Sequence, residues 1–349
     1  MSAGEKLDTA ALRQQILDLA EEYARRVHGP RNFVPGETVL VSSSLGLAGR
    51  IAQDKLSIPT ATVHLSPSQF RSCIEPPKLP GLWMPRWLPM WVKKSIWAGG
   101  DRYVVDRMLA PKINALRVEL GLPPVDGILR DFWNSPQRVI GLFPDWFGPP
   151  QADWPPQAVV TGFPRYDETD AHEADPRLDQ FLIEGTPPIV FTPGSAMYHG
   201  HDFFQASADA CIKLNRRGLF LTRHAEQIPK NLPATLRHFA YIPLSRILPH
   251  AAALVHHGGI GTSAQALAAG CRQLVTPFAH DQFDNAERLR RFGVARVIVA
   301  KKYSAKSATR ELAILLGDEY FATSCREIAA WLHNDQSLQK TCALIEALI

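Results

Sequence analysis

Long apolar runs are absent from the 349-residue sequence. None reaches the roughly 20 residues that a helix needs to cross a bilayer, so no spanning segment is expected. The opening stretch, MSAGEKLDTAALRQQILDLAEEYARR, is charged and amphipathic. It lacks the apolar centre of a secretory signal. Cysteine is scarce: Cys73, Cys211, Cys271, Cys325 and Cys342 are scattered, odd in number and without a C-x-x-C pair. That argues against a disulfide frame or a zinc site and for reduced thiols in a cytoplasm. Charge of one sign is weak, with a formal net charge of +4. A dedicated nucleic-acid binder would show a clustered basic face. Internal repeats and low-complexity tracts are missing as well.

What remains is a chain long enough for two domains with cores of their own, with an ordinary apolar share of 46%. Residues 9–27 predict an amphipathic helix, with Leu12, Ile16, Leu19 and Tyr23 at helical spacing. Residues 39–42 and 61–65 predict strands, with a helix over 45–55 between them, a unit of the parallel α/β kind. A helix over 101–120 and strands over 139–142 and 158–162 follow. Residues 164–188 are rich in Pro, Asp and Glu, with a weak helix at 177–184, and read as the linker. Beyond it, strands are expected over 189–192, 219–222, 239–243, 251–255, 272–277 and 295–299. Helices are expected over 202–216, 263–269, 284–292 and 306–316, and the last helices over 320–348. The expected organisation is a first lobe over 1–165, a linker over 166–188, a second lobe over 189–330 and a tail over 331–349 that returns to the first lobe.

Residues 67–97 stand apart, with many prolines and with Trp83, Trp87, Trp91 and Trp97. Pro85 and Pro89 interrupt a regular helix there. Three readings stay open: a loop whose aromatics anchor its own domain, an apolar pocket for a small molecule, and contact with a membrane surface, since arginine and lysines accompany the indoles. His199-x-His201-Asp202 offers two imidazoles on a loop, too few to define a metal site. No metal is expected.

The chain is organised around residues 250–285, HAAALVHHGGIGTSAQALAAGCRQLVTPFAHDQFDN. A buried strand leads into His256-His257-Gly258-Gly259-Ile260-Gly261-Thr262, and a helix follows. Glycines there let the backbone approach a ligand closely. The helix start offers unpaired N–H groups and a positive dipole end, which favour a phosphate. A second strand leads to a polar cluster, His280-Asp281-Gln282. In an open α/β sheet, ligands sit off the carboxyl ends of strands, so phosphate donors and polar pair are expected at one crevice. Gly259-x-Gly261-x-x-Ala264 also fits the dinucleotide fingerprint. That reading leaves the paired histidines and Asp281-Gln282 unexplained.

This stretch resembles the nucleotide-sugar signature of the family 1 (UDP-dependent) glycosyltransferases, in particular the bacterial branch acting on antibiotics, sterols and lipids. His257, Gly259, Thr262, Gln265 and Asp281-Gln282 keep the order and spacing of that signature. The likeness is strong after about residue 185 and weaker before it, where GLPP, DWPP and VVTGF-P segments match. It implies an α/β fold of two Rossmann-like lobes (GT-B). It also implies that His257, Gly258, Gly259, Gly261 and Thr262 lie at the diphosphate, together with Gly194 and Ser195 of the turn after residue 192. Gln265 would take the ribose, Tyr241 would stack on the base, and Asp281 and Gln282 would hold the sugar hydroxyls. Plant members have Glu in place of Gln265, and Trp and Gln in place of Tyr241 and Leu244. No resident cofactor is implied, since the nucleotide sugar is itself the donor substrate.

The implied reaction is metal-independent, inverting transfer of a hexose from a UDP- or dTDP-sugar to a hydroxyl of an apolar small molecule or lipid. The family opens with a strand and a glycine-rich loop carrying the His or Asp base, and no such opening is found at the start of this sequence. About four strands are expected before the linker, fewer than the family's first lobe has, so that lobe is expected to be incomplete. No catalytic residue is therefore assigned; His64, at a strand end, reads as structural. Self-association or a partner covering the shortened lobe would follow. A nucleotide-sugar-binding fragment or partner protein is the alternative, and a two-lobed epimerase a third. The expected location is the cytoplasm, at its edge if the tryptophan stretch meets a membrane.

Overall fold

The computed structural model describes residues 36–44, 46–167, 175–183, 185–194 and 200–349. The helix expected over 9–27, Ser195 and His199 lie outside the described residues. The chain divides into two compact units. One comprises residues up to 77, 84–162 and 336–349; the other comprises 78–83 and 163–335.

Among its described residues the first unit holds four parallel strands, β1 (Leu40–Ser43), β2 (Thr60–His64), β3 (Arg138–Gly141) and β4 (Ala158–Val160), side by side in chain order. Right-handed crossovers between strands added in one direction place their connections on one face. Strand β2 shows what each face does, because alternate residues point opposite ways. Thr62 Oγ donates to the Trp133 carbonyl at 3.0 Å, and a His64 ring nitrogen meets Asn134 Oδ1 at 2.9 Å. Ala61 and Val63 face the other way. With Ile140 they pack against Leu344, Ile345 and Leu348 at the end of the C-terminal helix (Ser337–Glu346). Thr341 of that helix donates to Thr161 at 2.9 Å. The connecting helices are α1 (Leu47–Leu56), α2 (Met90–Gly100) and α3 (Asp106–Glu119). Leu47 and Ile51 of α1 share a core with Leu109 and Ile113 of α3 and with Phe132.

The second unit holds six parallel strands: β5 (Ile189–Thr192), β6 (Gly218–Leu221), β7 (Leu236–Phe239), β8 (Ala253–His256), β9 (Gln273–Val275) and β10 (Ala295–Val297). Their order is β10-β9-β8-β5-β6-β7. The chain builds outward from β5 to β7, then returns to the opposite side of β5 and builds outward again. The reversal lies between β5 and β8. These short apolar strands have both faces covered, as parallel sheets require. Ile189 and Phe191 pack with Phe203 and Phe204 of α5 (His201–Lys213); Val190 packs with Leu178 and Phe181 of α4 (Pro176–Ile183). The acidic, proline-rich stretch before β5 thus carries a packed helix. The remaining helices are α6 (Ile260–Ala268), α7 (Gln282–Arg291), α8 (Ala305–Gly317) and α9 (Glu319–Trp331).

Two expectations need correction. The strand expected over 239–243 runs Leu236–Phe239 instead. Pro243 has no N–H for a ladder and instead precedes a helical turn, Leu244–Ile247. The helix expected over 101–120 begins earlier, because the backbone is already helical from Met90 and continues through a wider turn, Asp101–Val105. Pro89 occupies the N-cap of α2, where a missing N–H breaks no helical bond.

The C-terminal helix is the cover for one face of β2 and β3. Leu344 and Ile345 are half-buried, so Leu344→Ala and Ile345→Ala are each expected to cost about 1–2 kcal/mol, below the full core value. Urea unfolding of the full chain would measure the loss; midpoints unchanged in both variants would mean that the helix does not hold this face.

Candidate functional site

Three strand ends are level at the reversal in strand order. Thr192 of β5 pairs with His256 of β8, and His256 with Val275 of β9. The turns after these residues therefore leave the sheet side by side, at the place where an open α/β sheet takes its ligand.

The first turn contributes Gly194, whose φ of +99° is open to glycine but strained for other residues. A Cβ on Gly194 would come within 2.8 Å of the His257 ring. Gly259 also abuts that ring. His257 is thus fitted against two backbones that a methyl group would obstruct. Burial holds its pKa down at about 4, so the ring is neutral at neutral pH. Its Nδ1 is buried without a hydrogen-bond partner among the described residues. Such an orphan costs about 1–3 kcal/mol, which an acceptor atom within reach would recover.

The neighbouring His256 does different work. It is fully buried; Nδ1 accepts from the Gly258 amide at 3.2 Å, and the opposite nitrogen meets Gln273 Oε1 at 3.0 Å. The acceptor role of Nδ1 places the ring proton on Nε2, which donates to Gln273. Burial, and then the proximity of His257, lower its pKa to about 3. Gly258 itself has φ +90°, and a Cβ there would meet Val275 at 2.8 Å. This bond shapes the turn; the family likeness singles out His257, and the structural role of His256 is visible only in the structure.

Helix α6 follows with Gly259 at its N-cap and no side chain capping it among the described residues. The first helical bond is from Ser263 N–H to the Gly259 carbonyl at 3.0 Å. The amides of Ile260, Gly261 and Thr262 have no intrahelical acceptor by construction. Around a Cβ position on Gly261 there is open space. Thr262 and Gln265 are half-buried on the same helix.

After β9 the chain reaches Asp281, the N-cap of α7. Its carboxylate accepts from Asn285 Nδ2 at 2.8 Å, and the same amide donates to the Gly258 carbonyl at 3.0 Å. Asn285 thereby ties Asp281 to the glycine turn after β8. Sequence reading passed over it, although it lies one helical turn after Asp281. Gln282 turns its Oε1 inward, accepting from the amides of Phe278 and Ala279 at 2.8 and 3.1 Å, which leaves its NH2 group to donate outward. Asp284, also unremarked in the sequence, pairs with Arg288 at 2.7 Å and accepts from the Lys78 amide at 2.9 Å. That contact joins residues 78–83 to this unit.

Tyr241 lies just beyond β7, in a loop. Its hydroxyl donates to the Asp167 carbonyl at 2.7 Å, and Arg223 sits 5.8 Å from its ring centre. Gly194, His257, Gly258, Gly259, Gly261, Thr262 and Gln265 are therefore gathered on adjoining turns and one helix start, with Asp281 and Gln282 joined to them through Asn285. Tyr241 belongs to the other half of the sheet, after β7. His201 bonds the Gln227 carbonyl at 3.2 Å, and no metal-ligand cluster occurs among the described residues.

The first unit contains a cavity of about 960 Å³ lined by Phe70, Arg71, Trp133, Asn134 and Trp154, among others. None of the four tryptophans between 83 and 97 lines it. Trp97 is half-buried beneath the Arg71 guanidinium, 4.9 Å away. His64 is buried behind the cavity wall between Phe70 and Trp133, with a pKa lowered by burial to about 4. It presents no accessible nitrogen to a substrate.

Residues 219–345 match the family described as erythromycin biosynthesis protein CIII-like, C-terminal domain. O-mycaminosyltylonolide 6-deoxyallosyltransferase of Streptomyces fradiae is 30% identical over 246 residues, covering 67% of this chain and 56% of that protein. The chain thus spans little more than half the length of that relative. Among solved structures, the glycotransferase of kitacinnamycin superposes with a TM-score of 0.76 at 18% identity, over 99% of this chain and 84% of that one. Glycosyltransferase VinC in complex with dTDP gives 0.62 at 20% identity, over 100% and 86%. The likeness to the bacterial natural-product branch of the family 1 glycosyltransferases holds in sequence. The fold is that of GT-B enzymes, with a shorter first lobe.

Two outcomes follow from this geometry. Gly259 has φ −60°, which alanine adopts freely, so Gly259→Ala acts only by displacing the His257 ring. It should weaken the nucleoside diphosphate binding proposed below about as much as His257→Ala, by about 1.5–3 kcal/mol, with the melting temperature nearly kept; calorimetry showing full affinity for Gly259→Ala would contradict the fitted-ring geometry. Secondly, His64, His256 and His257 have pKa values lowered to about 4, 3 and 4 from 6.5. Below pH 6.5 the unfolded chain takes up protons that the folded chain refuses, so stability is full above that pH and falls from there towards pH 4, by up to about 1.4 kcal/mol per pH unit for each ring. Denaturation at a series of pH values checks this; a flat profile between pH 6.5 and 4 would mean that the rings are charged in the folded state.

Proposed function

We propose that this chain, a relative of the bacterial natural-product glycosyltransferases, binds a nucleoside-diphosphate sugar in its second lobe and transfers the hexose to a hydroxyl of an apolar acceptor. The observation that carries the reading is the uncapped start of α6 at the reversal in strand order, with His257 fitted beside it. The two phosphates would take the amides of Ile260 to Thr262, the Thr262 hydroxyl and the His257 ring, whose Nδ1 has no partner among the described residues. Ser195 would complete this side from beyond Gly194. Gln265 would hold the ribose, Tyr241 the base, and Asp281 with the outward amide of Gln282 the sugar hydroxyls.

Transfer would be a single displacement with inversion. The acceptor oxygen loses its proton to a base, bonds to the anomeric carbon, and the bond from that carbon to the diphosphate oxygen breaks. Negative charge grows on the leaving diphosphate, where the helix amides and dipole are already aimed. That arrangement supports leaving-group stabilisation without a metal. The cavity bounded by Phe70, Trp133 and Trp154 has aromatic walls but is also lined by Arg50, Arg71, Asp126, Arg130, Asp131 and Asp153, so it would suit an acceptor that carries polar groups beside its apolar face. The VinC structure with dTDP supports a pyrimidine nucleoside diphosphate of the dTDP kind as the donor portion.

Calorimetry with UDP, dTDP and NAD tests the reading. Binding of one of the pyrimidine diphosphates well above NAD is expected, and Asp281→Ala should leave diphosphate affinity nearly unchanged while weakening discrimination among sugars. NAD binding tighter than both diphosphates would overturn it. Diphosphate-sugar binding without sugar transfer, across a panel of sterols, flavonoids and lipids, would favour a donor-binding protein that works with another chain.

A further inference from the structure

Helix α2 and the turn before it place their charge and their aromatics in an inverted order. Lys93 is only 4% exposed, and its ammonium donates to the carbonyls of Cys73 at 3.0 Å and Arg86 at 2.7 Å. This buried lysine clips the proline-rich turn onto the helix. On the outer side, Trp87 and Trp91 are 73% and 71% exposed, with Met90 beside them. Trp91, Lys94 and Ala98 follow at helical spacing, and all three are exposed. A surface meant for water alone buries indoles and leaves ammonium groups outside.

Between residues 86 and 112 the exposed charge is of one sign, with Glu119 exposed only at the far end of α3. Arg86, Lys94, Arg102, Arg107 and Lys112 are exposed along the segment. Its acids are turned inward: Asp101 pairs with Arg71, and Asp106 accepts the amides of Gly127 and Ile128 at 2.9 Å. Arg86 also reaches Glu75, whose side chain is largely covered. Tyr103 and Val104 are exposed next to Arg102. Amphipathic rings with interspersed cations are what the headgroup layer of a bilayer selects, and anionic headgroups supply the missing opposite charge.

We propose that this face of the first unit docks on an anionic lipid surface, with Trp87, Met90 and Trp91 entering the headgroup layer and Lys94, Arg102 and their neighbours held against the phosphates. The contact is peripheral, since no described helix is long and apolar enough to cross a membrane. It places the protein where an amphiphilic molecule is delivered, and it stands independently of the sugar-transfer reading.

The test is flotation of the full chain with phosphatidylcholine vesicles, with and without phosphatidylglycerol. Binding is expected with phosphatidylglycerol, weakening as salt is added, with indole emission quenched by brominated lipid. The double variant Trp87→Ser/Trp91→Ser removes two mostly exposed rings and should nearly keep its melting temperature while losing partition by about tenfold or more. Lys94→Glu and Arg102→Glu should each lower partition about fivefold or more. Absence of binding to anionic vesicles, or unchanged binding by the double tryptophan variant, would overturn the proposal. So would a wild-type dimer that this variant makes monomeric in sedimentation velocity, since a second copy of the chain would then cover the face.

Discussion

The buried hydrogen bond from the Gly258 amide to His256 Nδ1 is the constraint on which the rest of the site depends. It exists only while His256 is neutral. A proton on Nδ1 would set two N–H groups against each other in a fully buried place. The bond fixes a left-handed Gly258, which turns the chain sharply off β8. His257 then falls against Gly194 and Gly259, and α6 starts with its first amides unspent. Asn285 extends the same constraint to the far side, because one amide group bonds both the Gly258 carbonyl and Asp281. One histidine shapes the turn and the next is presented by it, so the pair acts in series.

The second lobe was legible because its signals are local. Apolar strands bounded by glycine and proline, the run from His256 to Thr262, and Asp281-Gln282 at the head of a helix can each be read within a few residues. The sheet order was not local. That β8 returns beside β5 is visible only in the structure, and it is what brings Gly194 to His257. Asn285 and Asp284 were missed for the same reason, since an Asn and an Asp on a polar helix look like solvated residues until their partners at Gly258, Arg288 and Lys78 are known. Strand β7 was misplaced because the run near Pro243 is as apolar as the true strand, Leu236–Phe239.

The first lobe shows the opposite balance. Its four strands were readable, yet the tryptophan stretch was not, because composition cannot say which way a side chain faces. In sequence Pro85 and Pro89 look like interruptions of a helix, whereas Pro89 stands at the head of α2. The inward Lys93 and outward Trp91 reverse the usual pattern of burial, so hydrophobic periodicity points to the wrong face. The buried side of β2 needed sequence from the far end of the chain, Leu344 to Leu348, to be closed.

The most direct test of the account is nitrogen-15 NMR of the histidine rings during titration with UDP or dTDP. The account predicts that both rings start neutral, that the His257 nitrogens shift as the diphosphate fills the site, and that the His256 resonances keep the pattern of an Nδ1 acceptor throughout. Saturating nucleotide with the His257 ring unmoved, or a change of tautomer at His256, would contradict it.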